Sequence, residues 1–251
     1  MLIGQTKQKL SELKLPGFIQ VLEETLVNPS SLSAAEIIGL MADRELVNRQ
    51  NRRQSRLLKK AKLRYPQASI ENIDYQKTRT WNQQQYLSLT DCAFIRQNRN
   101  LVLTGPTGVG KSFLACSLGY QACRLFFSVR YFRVPRLLEN LRIAHADGSH
   151  TLVLEQLSKT QLLILDDWGI DRLERQGRKD LLEILEDRYQ RGSTIVTTQL
   201  PIELWADYIG DSTLSDGICD RLLSNAYQIN LSGESMRKES DFLTDVDQMV
   251  S

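Results

Sequence analysis

The sequence predicts an α/β fold, a five-stranded parallel sheet between helices, preceded by a small all-α segment. Three observations predict it. Short apolar or β-branched runs at 101–104, 128–134, 162–165, 193–199 and 226–231 alternate with helix-compatible stretches, the pattern of a parallel sheet. The first of these runs, LVLT, passes directly through GPTGVGKS into the helix-compatible FLACSLGYQAC. The first 66 residues, by contrast, read as helices.

The chain has 251 residues and 41% hydrophobic content, enough for a well-buried interior. It has no apolar run of about 18 residues, and it starts with the polar, amphipathic MLIGQTKQKLSELK rather than a signal peptide. A soluble, cytoplasmic protein with no membrane association is therefore expected. Cys92, Cys116, Cys123 and Cys219 form no CxxC pair and have no histidine at ligand spacing, so reduced, packed thiols are expected rather than a zinc site or disulfides. His145 and His150 read as isolated and non-catalytic.

At the N-terminus, LSELKLPGFIQVLEETL reads as a short helix, a break at Pro16-Gly17, and a second helix with Phe18, Leu22 and Leu26 on one face. Charge is unevenly spread: residues 1–100 carry 16 Lys and Arg against 9 Asp and Glu, the remainder 16 against 21. Most of the excess lies in RELVNRQNRRQSRLLKKAKLR, residues 44–64, where nine cations face a single acid, Glu45. That run lacks Gly and Pro, so it reads as one helix ended by Pro66. Helical spacing puts Arg49, Arg53, Arg56 and Lys60 on a shared face, with Arg52 and Lys59 beside it. So many cations with few i,i+4 partners repel one another unless they meet a phosphate backbone, although charged runs also serve as plain solvated faces. Residues 67–90, with Tyr75, Arg79, Trp81 and Tyr86, read as an irregular connector that wraps onto the domain C-terminal to it.

The strand 101–104 then enters a phosphate-binding loop, G-x-x-x-x-G-K-S. Gly105, Gly108 and Gly110 allow successive backbone amides to converge on phosphate oxygens at a helix N-terminus. The nucleotide-binding segment runs from Gly105 through Pro106, Thr107, Gly108, Val109, Gly110, Lys111 and Ser112 to Phe113. Lys111 is placed to reach the β- and γ-phosphates of ATP, and the Ser112 hydroxyl to ligate Mg²⁺. SVRYFRV is the next strand, and RLLENLRIAHADG a helix. In LLILDDWG, 55 residues beyond Lys111, two acids leave the C-terminal end of a buried strand, where parallel sheets bind ligands. Asp166 then partners Mg²⁺, and Asp167 orients or deprotonates the attacking water. The helix in QGRKDLLEILEDRYQRG buries Leu181, Ile184, Leu185 and Tyr189 and stops at Gly192. STIVTTQLP is a strand ending in polar Thr198 and Gln199, with Gln199 placed to sense the γ-phosphate. ICDRLLSNAYQINL supplies a helix bearing Arg221 and the last strand.

These residues resemble the AAA+ ATPases, and among them the branch of DnaC-like helicase loaders and IstB-like ATPases of insertion sequences. The phrases LKLPGF, RRQSRLLKKAKLR, IENIDY, NLVLTGPTGVGKS, SVRYFRVPRL, LLILDDWG, DLLEILEDRYQRGSTIVTTQLP and AYQINLSGESMRK resemble the IstB-like proteins over nearly the whole chain. The resemblance implies a helper ATPase of the bacterial cytoplasm that assembles with ATP on double-stranded DNA, deforms it and presents it to a partner transposase. It implies that Arg221 acts as an arginine finger on a neighbouring protomer's nucleotide. Arg133 and Arg136 join Arg49, Arg52, Arg53, Arg56, Lys59 and Lys60 as candidate DNA contacts. The alternatives are a replicative helicase loader and a nucleotide-gated DNA scaffold with negligible hydrolysis.

The sequence departs from the common AAA+ pattern in having Asp167 for a glutamate, and from that of the helicase loaders in having Gln199 for an asparagine, both compatible with the IstB-like subgroup. Only 20 residues follow Leu231, too few for a full helical lid, so the lid is expected to be absent or vestigial, with Arg237 the candidate second sensor. The expected organisation is a DNA-binding and assembly domain at 1–66, the connector at 67–90, an ATPase domain at 91–239, and a flexible acidic tail at 240–251.

Overall fold

The computed structural model describes residues 2–28, 32–75 and 80–236. Arg237 and the acidic tail lie outside them, as does Arg79 of the connector. The chain divides into two compact units, Met1–Arg56 and Leu57–Ser251.

The first unit holds α1 (Leu2–Glu12), α2 (Pro16–Val27) and most of α3 (Ala34–Ala61). Pro16 occupies the first turn of α2, where its missing N–H costs nothing, so the Pro-Gly pair starts a helix. The buried side of α2 is Gly17 and Val21, whereas Leu26 of the expected face is 47% exposed. Gly17 sets this face because α3 crosses it at backbone contact: a Cβ there would lie 2.5 Å from the Glu45 nitrogen. Glu45, the lone acid of the basic run, is buried, accepts from the Gly17 amide at 2.9 Å, and pairs with Arg49 at 2.8 Å. Burial opposes the Glu45 charge, but the hydrogen bonds from Arg49 and Gly17 outweigh it and hold the carboxyl below its usual range.

The basic helix stops at Ala61 rather than at Pro66, because Lys62 takes a left-handed backbone (φ 51°) and Leu63 turns into the core. The connector contains a 3₁₀ turn (Ile70–Asn72) and α4 (Gln83–Ser88), and it is tied by Thr80, which exchanges backbone hydrogen bonds with Ser232. Trp81 and Tyr86 are buried, so the connector does wrap onto the core. A short α5 (Ala93–Arg96) leads into the sheet.

The sheet strands are β1 (Asn100–Thr104), β2 (Val129–Arg133), β3 (Leu162–Trp168), β4 (Ser193–Thr198) and β5 (Ala226–Asn230). They are all parallel, in the order β2-β3-β4-β1-β5. The crossovers are α6 (Lys111–Arg124), α7 (Val134–Asp147) with α8 (His150–Ser158), α9 (Arg175–Arg188), and α10 (Trp205–Ile209) with α11 (Ser212–Leu223). Alternate strand residues serve opposite faces. Leu101, Leu103, Leu162, Ile164 and Ile195 pack with Leu114, Ala115 and Leu118 of α6. Val102, Leu163, Leu165 and Val196 pack with Leu141, Leu181, Ile184 and Leu222 from α7, α9 and α11. Both faces are therefore dry, which is why these strands read as unbroken apolar runs.

Two further features differ from those the sequence predicts. α8 is an additional helix, made possible because Gly148 ends α7 in a left-handed conformation (φ 79°). Tyr189 lies past the end of α9 and is 39% exposed, since the chain leaves the helix at that residue.

Candidate active site

The loop between β1 and α6 closes on backbone that only glycine adopts easily: φ is 143° at Gly105, 85° at Gly108 and 97° at Gly110. Gly108 also meets the chain following β5, where a Cβ would lie 2.1 Å from Ser235 Oγ and where the Met236 amide donates to its carbonyl at 3.0 Å. Lys111 is 8% exposed and its Nζ donates to the Gly105 and Pro106 carbonyls at 2.7 and 2.8 Å. Val109 is fully buried and anchors the loop in the core.

The order of strands brings the acids to this loop. β4 lies between β1 and β3, so the C-terminal ends of all three face one cleft. Asp166 is fully buried, and its Oδ1 accepts from Ser112 Oγ at 2.7 Å and from Thr197 Oγ1. Its Oδ2 accepts from Tyr131 Oη at 2.5 Å, with the Arg64 guanidinium 3.5 Å away. Burial, then the bond to Asp166, pushes the Tyr131 phenol well above its usual range, so it stays a proton donor. Four donors from four parts of the chain thus compensate one buried carboxylate.

Asp167 is held differently. The β3–β4 ladder shifts register between Leu165 and Trp168, and Asp167 sits there in a left-handed conformation (φ 62°). The bulge turns consecutive acids in different directions. Asp167 accepts from Arg133 Nε at 2.5 Å and is 3.9 Å from Arg64. Its amide donates to Thr197 Oγ1 at 3.3 Å, so Thr197 ties both acids to β4.

A cleft of about 360 Å³ is lined by Thr107, Gly108, Gly110, Lys111, Ser112 and Phe113 on the loop side. Asp167, Thr197, Thr198 and Gln199 line the opposite side, and Tyr65, Asn72, Asp74, Ile170 and Met236 complete it. Glycine-rich backbone, a lysine, and a hydroxyl against a buried carboxylate form the donor set of a phosphate site with a hard cation.

The sequence model of the IstB-like ATP-binding proteins matches residues 8–243. The chain belongs to that family. Among similar IstB-like relatives, the insertion sequence ATP-binding protein y4pL of Sinorhizobium fredii is 47% identical over 95% of this chain and 98% of its own length. The ATP-binding protein of insertion sequence IS1162 from Pseudomonas fluorescens is 50% identical over 80% of this chain and 88% of its own. The fold is that of the DnaC helicase loader (TM-score 0.54, 21% identity, 66% of this chain and 98% of that one). It is also that of DnaI (TM-score 0.57, 20% identity, 70% and 93%).

In this IstB-like chain the structure gathers Lys111, Ser112, Asp166, Asp167 and Gln199 at the cleft, where the sequence placed them. It does not bring Arg221 there. That residue lies near the N-terminal ends of β1 and β5, bonded to Glu186 Oε2 and over the Tyr189 ring. Arg133, a candidate DNA contact, bonds instead to Asp167, because β2 ends beside β3 in register with the acids. Arg136, Arg52, Arg53, Arg56, Lys59 and Lys60 are exposed, as is Arg49 despite its pair with Glu45. Arg64, counted with the basic helix, lies beside both acids, 3.5 Å from Asp166 and 3.9 Å from Asp167. Tyr131, Thr197, Asn72 and Asp74 are site residues that motif and spacing did not single out. The phrase IENIDY was the available signal for the last two, since Ile70 and Ile73 pack inward and leave the polar residues between and after them facing out. Among the described residues, no helix is long and apolar enough to cross a membrane.

Proposed function

We propose that this IstB-like protein is a Mg²⁺-dependent ATPase that assembles on double-stranded DNA and presents it to a partner transposase of its insertion sequence. The observation that carries the catalytic part is the 2.7 Å bond between Ser112 and the buried Asp166 at the mouth of a glycine loop. These two oxygens suit Mg²⁺ and would hold it, directly or through water. When bound, the ion neutralises charge on the phosphate oxygens. Lys111 supplies a second positive charge from within the loop, and the loop amides orient the phosphates. Asp167 positions the water and takes up its proton once it leaves Arg133. Thr197 keeps the two acids in a fixed relation, while Gln199 faces the same space from just beyond β4.

The assembly part rests on Arg221 and the basic helix. Arg221 stands away from its own cleft, near the ends of β1 and β5, so its contribution as a finger comes in a neighbouring protomer. ATP binding then stabilises assembly by mass action, and assembly multiplies weak phosphate contacts along the exposed Arg49, Arg53, Arg56 and Lys60 face. The names of the relatives place them in insertion sequences, which supports a transposition role over helicase loading.

The test is ATP turnover with no DNA, duplex DNA or single strands, alongside sedimentation of ATP-dependent assemblies. Duplex stimulation is expected, and Ser112→Ala should lower turnover at least about 100-fold while weakening its Mg²⁺ dependence. Tight binding to a replicative helicase without duplex preference would overturn the reading in favour of a loader. Duplex assembly with no measurable turnover would reassign the protein as a nucleotide-gated scaffold.

A further inference from the structure

Away from the cleft, the only two histidines of the chain meet a buried carboxylate. His145 is in the last turn of α7, His150 is the first residue of α8, and Asp180 comes from α9. Asp180 is 2% exposed. His145 Nε2 lies 3.0 Å from Asp180 Oδ1 and His150 Nε2 lies 3.5 Å from the same atom. The ligand atoms of the three residues lie within 4.8 Å of one another. Gln176, one turn before Asp180, donates to that oxygen at 2.9 Å and stands 3.3 Å from His145 Nε2.

Hydrogen bonding accounts for only part of this cluster. One imidazole N–H on Asp180 satisfies His145, but His150 Nε2 is buried and has no hydrogen-bond partner. An orphaned ring nitrogen beside a buried carboxylate calls for a ligand. Two imidazoles and one carboxylate are a mixed nitrogen and oxygen set suited to a borderline cation of the zinc class rather than to Mg²⁺ or Ca²⁺. Bonds of about 2.0–2.1 Å to a tetrahedral ion place ligand atoms about 3.3 Å apart. The two observed separations, 3.0 and 3.5 Å, bracket that value. The rings stack at 3.7 Å with an interplanar angle of 20°, and both Nε2 atoms lie within 3.5 Å of Asp180 Oδ1. A shared ion requires the rings to splay by rotation about their side-chain bonds, and His150 Nε2 has no hydrogen bond to break.

We propose that His145, His150 and Asp180 bind a divalent ion of the zinc class, separate from the Ser112 and Asp166 site. Gln176 completes the coordination through Oε1 after a half-turn of its amide, or water does so from the groove that His145, Gln176 and Asp180 help to line. The bound ion clips the α7–α8 turn to α9, two crossovers that pack on the same face of the sheet.

Untagged, metal-stripped full-length protein titrated with Co²⁺ in excess Mg²⁺ is the test, followed by displacement with Zn²⁺. One equivalent giving the visible absorption of a four-coordinate centre, bleached by Zn²⁺, is expected. His150→Asn and His145→Gln should weaken binding at least about ten-fold. Both variants should retain wild-type affinity for a fluorescent ATP analogue, and Ser112→Ala should leave the cobalt spectrum unchanged. A spectrum that survives His150→Asn, or that disappears in Ser112→Ala alone, overturns the assignment, as does the absence of any bound equivalent. Should His145→Gln fail to fold, His150→Asn, at the start of α8, carries the test.

Discussion

Adjacent aspartates with the same side chain are made chemically different here by one bulge. Asp166 is fully buried and surrounded by donors, which fix its side chain in one orientation. Asp167 is partly exposed, left-handed and paired with Arg133. The bond to Arg133 occupies the carboxylate that the proposed mechanism needs free for water, so in that mechanism the pair has to open before Asp167 acts. Asp167→Asn should leave nucleotide affinity intact and lower turnover by about 10²- to 10⁴-fold. Arg133→Ala should raise DNA-independent turnover about two- to five-fold, the scale of a partly exposed ion pair. A turnover assay that found Arg133→Ala slower would show that Arg133 positions the acid rather than restraining it. Gly108→Ala tests the loop: a Cβ at φ 85° and 2.1 Å from Ser235 Oγ should weaken nucleotide binding about ten-fold, read by fluorescence titration.

At the scale of elements, α9 shows how a residue type misleads without its surroundings. Arg188 sits in its last turn, where a surface arginine would complement the helix dipole. Yet it is 1% exposed and donates to the Leu157, Thr160 and Ser193 carbonyls, each at 2.6 Å. Burial lowers its guanidinium to about 10, still protonated at neutral pH. Arg188 thereby ties the end of α8 and the start of β4 to α9. Arg188→Ala removes the guanidinium donors from three carbonyls, of which Leu157 keeps the Thr160 amide, and leaves a void beside them, and should destabilise the second unit by about 3 kcal/mol or more in urea unfolding. The same lesson holds for Glu45, which reads as a stray acid in a basic run and proves to bond the N-terminus of α2.

For the whole molecule, the charge asymmetry has a testable meaning. The exposed cations of α3 include Arg52, Arg53 and Lys59, so reversing all three should flatten the log–log salt dependence of duplex binding by about 0.9 for each phosphate no longer neutralised, about 2–3 in all. An unaltered slope in a filter-binding series would return that helix to the role of a solvated face. Nucleotide turnover without DNA should be unaffected, since none of the three lines the cleft.

The sequence alone was enough for the parallel α/β class, the glycine loop, and the strand ends bearing Asp166, Asp167 and Gln199. Each of these is written in a few consecutive residues, because strand alternation, positive φ and helix termini are short-range properties. The tertiary structure alone decided that Arg64, Tyr131 and Thr197 share Asp166, that Arg133 meets Asp167, and that His145 and His150 meet Asp180. His145 and His150 would fall on different sides of one continuous helix and come together only because the chain turns at Gly148. Such contacts join elements far apart in the chain, and their existence depends on strand order and close packing, which no local pattern of residues encodes.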